Sequence, residues 1–209
     1  MKKSRTLTLD DTTTASNPGG INFMPLVYLR YYPIWGVSLA FLAILSVALL
    51  FLLPYSFNLM LFSVVMIFAN FFYWFRKKEH FKFGDSNPGK VIQNNPTLIA
   101  VLTNLSKYGG NYPVIKIIKS PLKDLSVGEI IGTVALYFPG DNKNLPHWKD
   151  FDPIPLQCAT NNKMEAAAVV SSYSKEELAA LEIGINSLAK PYKKGLYKMY
   201  SGNSNWVKA

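Results

Sequence analysis

Three groups of residues have the types and spacing that chemistry would need. Gly84-Asp85-Ser86-Asn87-Pro88-Gly89-Lys90 fits G-x-x-x-x-G-K, the spacing of a phosphate-binding loop. Such a loop also needs a Ser or Thr after the Lys to hold magnesium, and a helix whose first amides face the phosphates. Here Val91 follows, Pro96 forbids a long helix, and Pro88 removes one amide donor. The segment is therefore expected to be a tight turn between strands. His147, Trp148, Asp150, Asp152 and Cys158 form the second group. A Cys–His pair can make a nucleophile, yet Pro139 to Pro155 holds four prolines and no nucleophile-elbow pattern, and Cys158 opens an expected strand. The competing expectation is that Trp148 and Phe151 pin a long loop to a sheet while Asp150 and Asp152 make local turn bonds. His147, Trp148 and Asp150 stand as candidate ligand or partner contacts, and no residue is assigned a catalytic role. His80, His147 and Cys158 are the only histidines and cysteine, too few for a zinc site, so no metal and no cofactor is expected.

The third group is basic. Lys190, Lys193, Lys194, Lys198 and Lys208 interleave with Tyr192, Tyr197, Tyr200 and Trp206. The chain carries 22 Lys and Arg against 13 Asp and Glu, a net +9, and residues 76–209 hold 18 against 11, a net +7. Attraction to an anionic membrane leaflet ranks first, docking on an acidic protein second and nucleic acid last; no nucleic-acid partner is expected.

Membrane contact ranks first because of the element that positions all of this. From Tyr31 to Phe75 there is no Asp, Glu, Lys, Arg or His, and charge resumes at Arg30 and Arg76. A single spanning helix needs about 20 apolar residues, so this run has length for two. Leu53-Pro54-Tyr55-Ser56-Phe57-Asn58 supplies the turn. The expected spans are about Pro33 to Leu53 and Asn58 to Phe75. A core helix of a soluble protein would show a regular polar face, which these lack. Tyr31, Tyr32 and Trp35 sit at the start of the first span and Tyr73 and Trp74 at the end of the second, where amphipathic rings favour the headgroup level, with Arg30, Arg76, Lys77 and Lys78 just outside. Basic flanks and an uncharged tip place both termini in the cytoplasm by the positive-inside bias. The lone Cys158 suits that reducing compartment. Gly36, Ala40 and Ala43 have the small-residue spacing that lets helices approach, and Asn70 is the one amide within a span. With no ionisable intramembrane residue, a transporter reading is disfavoured.

After the hairpin the pattern is globular. Thr97 to Leu105, Tyr112 to Ser120 and Glu129 to Phe138 are short, β-branched and bounded by Gly, Pro or Asn, so they predict strands. Asn161 or Asn162 caps an expected helix to Tyr173. Ser174-Lys175-Glu176-Glu177 has capping-box spacing ahead of Leu178, Leu181, Ile185 and Leu188. The expected fold is thus a membrane-anchored α+β protein: a two-helix transmembrane hairpin, then a small antiparallel sheet or barrel with two C-terminal helices. Its parts are a disordered cytoplasmic N-tail (1–30), the hairpin (31–78), a cytoplasmic α+β domain (79–191) and a basic, aromatic tail (192–209).

The order Gly84-Asp85-x-Asn87-Pro88-Gly89-Lys90-Val91, then Val127-Gly128-Glu129 with Thr133-Val134-Ala135-Leu136-Tyr137, then His147-Trp148-x-Asp150-Phe151-x-Pro153 resembles an uncharacterised bacterial domain family of unknown function. The likeness runs from about Lys82 to Tyr197. It implies no activity and carries over no catalytic residue. The functional expectation is a non-enzymatic interaction or assembly protein of the plasma (inner) membrane, whose partners are the bilayer and a protein or further copies of itself. The alternative is a membrane-bound enzyme or small-ligand sensor with a site near His147, Asp150 and Cys158.

Overall fold

A computed structural model describes residues 17–52, 57–107, 110–142, 144–199 and 206–208. Three helices lead: α1 (Pro25–Tyr31), α2 (Pro33–Leu52) and α3 (Phe57–Phe83). The described residues include two helices long and apolar enough to cross a membrane, Pro33–Phe51 and Phe57–Phe83. The expected turn at Leu53 to Ser56 lies outside the described residues. α2 and α3 pack along one seam, with Gly36, Ser46 and Ser63 buried and Ala40, Ala43 and Asn70 half-buried. The two serines return their hydroxyls to their own helices, Ser46 to the Ala43 carbonyl and Ser63 to that of Leu59, both at 2.9 Å. The remaining faces are apolar and exposed, including Ile34, Trp35, Phe41, Ile44, Phe68 and Phe71.

α3 does not stop where the charge-free run ends. It continues through Arg76-Lys77-Lys78-Glu79 because its last turn has something to bury: Phe81 is 0% exposed, in the core of the sheet domain. The expected boundary at 78/79 therefore falls inside a helix. The N-tail also differs from expectation. Residues 1–16 lie outside the described residues, but from Asn17 onward the segment expected to be disordered is docked. Gly19 and Gly20 donate to the Gly84 and Lys82 carbonyls at 2.9 and 3.1 Å, and Met24 donates to Ala159 O at 2.8 Å. The driving force is apolar: Ile21, Val27 and Tyr28 are buried and Phe23 stacks on Phe81 at 5.4 Å.

Seven strands follow among the described residues: β1 (Ser86–Asn94), β2 (Thr97–Asn104), β3 (Pro113–Lys119), β4 (Ile130–Phe138), β5 (Asp150–Pro155), β6 (Gly195–Met199) and β7 (Trp206–Lys208). They form one antiparallel sheet in the order β5-β4-β1-β2-β3-β6-β7. Three segments depart from the sequence reading. Ser86 to Lys90, expected in a turn, is central strand. The backbone there alternates so that Val91 N–H turns to Glu129 O on the β4 side. Pro88 then turns its missing N–H toward β2, whose pairing with β1 begins only at Gly89, so no ladder bond is lost. Asp150 to Pro155, expected in a loop, is the edge strand β5, and Cys158 lies in a short 3-10 turn (Leu156–Cys158) rather than opening a strand. The expected C-terminal tail supplies β6 and β7, because Leu196 is buried against the core.

The sheet curls. Lys116 of β3 bonds both Asp150 and the Phe151 carbonyl of β5. Those strands are four positions apart, about 19 Å on a flat sheet, far beyond a lysine's reach. Inside the curl, Val91, Ile99, Val101, Val114, Ile131, Phe151 and Leu196 form one cluster drawn from six strands. Outside it, α5 (Lys175–Asn186) covers Leu98, Ala100, Ile115 and Ile117, while α4 (Lys163–Ser171) and the 3-10 turn cover Val134 and Ile154. Asn162 caps α4, accepting from Met164 N–H and Glu165 N–H. Ser174 and Glu177 close the capping box at 3.1 and 2.8 Å. The outer edge of β5 is blunted: Phe151 N–H goes to Asp150 Oδ1, Phe151 O takes Lys116, and Pro153 and Pro155 on the same side have no N–H.

Candidate functional site

Two groups of side chains stand out, one on the concave face and one where α3 enters the domain. On the concave face the Tyr137 hydroxyl donates to Asp85 Oδ2 at 2.6 Å, pairs with Thr103 Oγ1 at 2.7 Å and receives Asn87 Nδ2 at 3.3 Å. Burial, with the Asp85 carboxylate next in effect, pushes the Tyr137 phenol well above its ordinary pKa. The network crosses β1 to the other face through the Asn87 carbonyl, which accepts from Thr133 Oγ1 at 3.0 Å and Tyr173 OH at 2.9 Å. Ser86 Oγ is 2.8 Å from the same Tyr173 hydroxyl. Asp85, Asn87, Thr133 and Tyr137, all members of the sequence motif, are thus bonded into one unit. Tyr137→Phe removes a hydroxyl on which Asp85, Thr103 and Asn87 converge. It is expected to cost about 2 kcal/mol, read as a lower denaturant midpoint with an unchanged m-value.

The phosphate-loop segment is placed otherwise than its spacing suggests. Its backbone is engaged in ladders with β4 and β2, and Lys90 Nζ is bonded to Glu182 of α5. The loop ahead of β5 closes the curl: Trp148 N–H bonds Leu105 O at 2.7 Å and Lys107 N–H bonds Pro146 O at 2.9 Å. The His147 ring lies against Tyr112 with centroids 4.8 Å apart, and its Nδ1 is 2.8 Å from Trp148 O. Trp148 packs on the concave cluster, with Lys107 Nζ 5.0 Å over its ring. Asp150 is 3.1 Å from Lys116, whose side chain is 14% exposed. Sequence reasoning missed Lys116 although the signal was present: in Val114-Ile115-Lys116-Ile117-Ile118 a period of two puts it on the face of Val114 and Ile118.

Cys158 belongs elsewhere. It packs with Val134 and Ile154 on the convex side, whereas Trp148 packs on the concave side, so the chain does not join Cys158 with His147 in one constellation. Its thiol is 0% exposed, and burial pushes its pKa up to about 12 from 9.0. Native protein is accordingly expected to resist alkylation at neutral pH and to react once denatured. Alkaline pH brings a stability penalty of definite sign. Above about pH 9 the unfolded thiol releases its proton while the folded thiol keeps it. The unfolded state then binds fewer protons, and stability falls as pH rises toward 12. Tyr137 and Tyr173, both raised chiefly by burial, act in the same direction. A thermal-unfolding series across that range measures the fall.

At the elbow, Phe23, Tyr28 and Phe81 form an aromatic cluster backed by Trp74, whose ring is 6.1 Å from that of Phe23. Lys77 Nζ lies 5.1 Å over the Tyr28 ring and 5.8 Å over Tyr73. Arg76 pairs with Glu79 at 3.2 Å, and Arg30 and Lys78 are exposed. Gly36 faces Leu29 and Trp74 so closely that an added Cβ would come within 2.6 and 2.9 Å of them. Trp35 points outward, 72% exposed.

The fold and these groups define a curled antiparallel sheet domain entered by an apolar helical hairpin. Residues 75–189 match a family described as "Protein of unknown function (DUF3239)", and the chain belongs to that family. The match begins at Phe75, where the charge-free run ends, so the last turns of α3 go with the domain. The chain is also similar to a crystal structure described as that of a "putative membrane protein from Corynebacterium diphtheriae", with 20% identity, 55% of this chain and 100% of that chain covered, and a TM-score of 0.47. No curated protein matches the chain.

Proposed function

We propose that this is a membrane-anchored, non-enzymatic interaction or assembly protein that presents its sheet domain on the cytoplasmic face of the plasma (inner) membrane to a protein partner or to further copies of itself. The observation that carries this reading is the continuity of α3. One helix leads from the exposed apolar hairpin to Phe81, buried in the domain core, and Gly19 and Gly20 bond the chain on the other side. A domain so mounted holds one orientation toward the bilayer, which suits a docking platform better than a catalyst that must swing to reach substrate. The exposed apolar faces of α2 and α3 match lipid, and Arg30 with Arg76, Lys77 and Lys78 support a cytoplasmic domain through the positive-inside bias. Strand addition at the β5 edge is opposed by Pro153 and Pro155, which have no N–H, and by the occupied N–H and carbonyl of Phe151.

Native mass in mild detergent tests the assembly reading, and labelling of a Val127→Cys variant in intact against permeabilised cells tests the sidedness. A homo-oligomer or a stoichiometric complex, and labelling only after permeabilisation, are expected. A monodisperse monomer removes the first claim; labelling in intact cells removes the second.

A further inference from the structure

The sheet domain has exposed apolar side chains at the end that faces the hairpin. Leu136 and Phe138 of β4 are 36% and 46% exposed, and Leu26 of α1 is 83% exposed. Their height relative to the hairpin follows from contacts. Val134 meets the elbow, since a Cβ on either Gly19 or Gly84 would strike it. Two residues on, Leu136 is paired with Asp152, whose charge acts on Lys77, Tyr28 and Tyr32. β4 thus climbs beside the last turns of α3, from Phe81 toward Lys77. Val134 to Phe138 spans about 13 Å at strand rise, and Phe83 back to Phe75 about 12 Å at helical rise. Phe138 lies two residues, about 7 Å of strand, beyond Leu136 in the direction of the charge-free run. By period two, Leu136 and Phe138 point to the same side as Val134, away from Tyr137 and the concave core. Leu26 lies seven residues before the first span, on a helix whose opposite side, Val27 and Tyr28, is buried.

We infer that Leu136, Phe138 and Leu26 form a second membrane contact, seated in the headgroup layer of the bilayer beside the anchor. The basic groups toward an anionic lipid surface are Arg30 and Lys78, exposed at the elbow beside the anchor; nearer the rim, Lys149 is paired with Asp141 and Asp152 lies opposite Leu136. The contact rests on the anchoring proposed above, but it makes a separate claim. The domain does not hang below the membrane; its rim is part of the membrane-bound surface, and partner docking is left to the distal end and the α5 side.

The test uses full-length protein in nanodiscs of phosphatidylcholine doped with phosphatidylglycerol. An environment-sensitive thiol dye is placed at Phe138→Cys, at Val127→Cys on the distal loop, and at Phe68→Cys within α3. The unsubstituted chain, with its buried Cys158, is the blank. Headgroup spin-labelled lipid should quench the dye at 138 several-fold more than at 127, with blue-shifted emission at 138. Acyl-chain spin label should quench the dye at 68. If 138 behaves like 127 while 68 is quenched, the rim contact is wrong and the anchor stands. An unquenched dye at 68 overturns the anchor and the rim contact together. A blue shift at 138 in native membranes that is absent from nanodiscs assigns the rim to a protein partner and overturns the lipid contact.

Discussion

Phe81→Ala is expected to destabilise the sheet domain by about 3–5 kcal/mol, the range for emptying a well-packed aromatic site. Phe81 is 0% exposed, and its ring is met by Phe23 at 5.4 Å, Tyr28 at 6.0 Å and His80 at 5.4 Å. The neighbours cannot easily close the hole. Phe23 and Tyr28 are fixed by a segment whose backbone is already bonded to Gly84, Lys82 and Ala159, and Val134 is fixed in the middle of β4. The loss also falls on the junction that proposes this protein's role, because Phe81 is where the hairpin helix becomes part of the domain. Two readouts separate stability from coupling. Denaturant titration in detergent gives the destabilisation, and limited proteolysis between residues 75 and 86 reports whether the elbow has come loose. Phe68→Ala, at a side chain 68% exposed within the apolar run, is the control. A Phe81→Ala variant as stable as that control, with an elbow still resistant to protease, would show that the domain does not depend on this mounting.

The contrast between Phe81 and Phe68 also explains what could be read from the chain alone. Phe68 lies in a stretch where the absence of charge over 45 residues is itself the signal, and two helices followed from length. The capping box at Ser174 to Glu177 was equally legible, since the interaction is local and its spacing fixes it. Phe81 follows three basic residues and a Glu, and nothing nearby says that its partners are Phe23 and Tyr28, more than fifty positions earlier. The same holds for β1. Pro88-Gly89 has the composition of a turn, and only the neighbours' register, with β2 pairing starting after Pro88, makes a strand possible there. In the candidate network, Asp85, Asn87, Thr133 and Tyr137 were visible as a recurring order of residues, but their convergence needed the strand order β4-β1-β2. Cys158 and His147 are close in sequence but β5 separates them: Trp148 packs with Phe151 in the concave cluster, and Cys158, in the 3-10 turn beyond the strand, packs with Ile154 in the convex one.

Gly84→Ala is expected to cost about 3 kcal/mol, at the upper end for forcing an extra methyl into a packed site. The added Cβ would be 2.3 Å from the His80 carbonyl oxygen, 2.8 Å from Val134 Cγ1 and 3.0 Å from His80 Nδ1. The first of these is backbone, and it already accepts the Gly84 N–H at 2.8 Å, so relief means pulling apart the bond that ends α3. Two other glycines calibrate the effect. At Gly132 the nearest atom is Leu156 Cδ1 at 2.6 Å, the far end of a side chain that can swing, so Gly132→Ala should cost less. At Gly128 nothing lies within 4 Å but φ is +92°, and the penalty there is conformational, about 1–2 kcal/mol. Midpoints measured for the three variants should therefore rank Gly84→Ala as the least stable. If Gly84→Ala proved no worse than Gly128→Ala, the close approach of α3 to β4 would be looser than described. The height assigned to Phe138 is measured from that same approach, so the rim would then no longer reach the membrane surface.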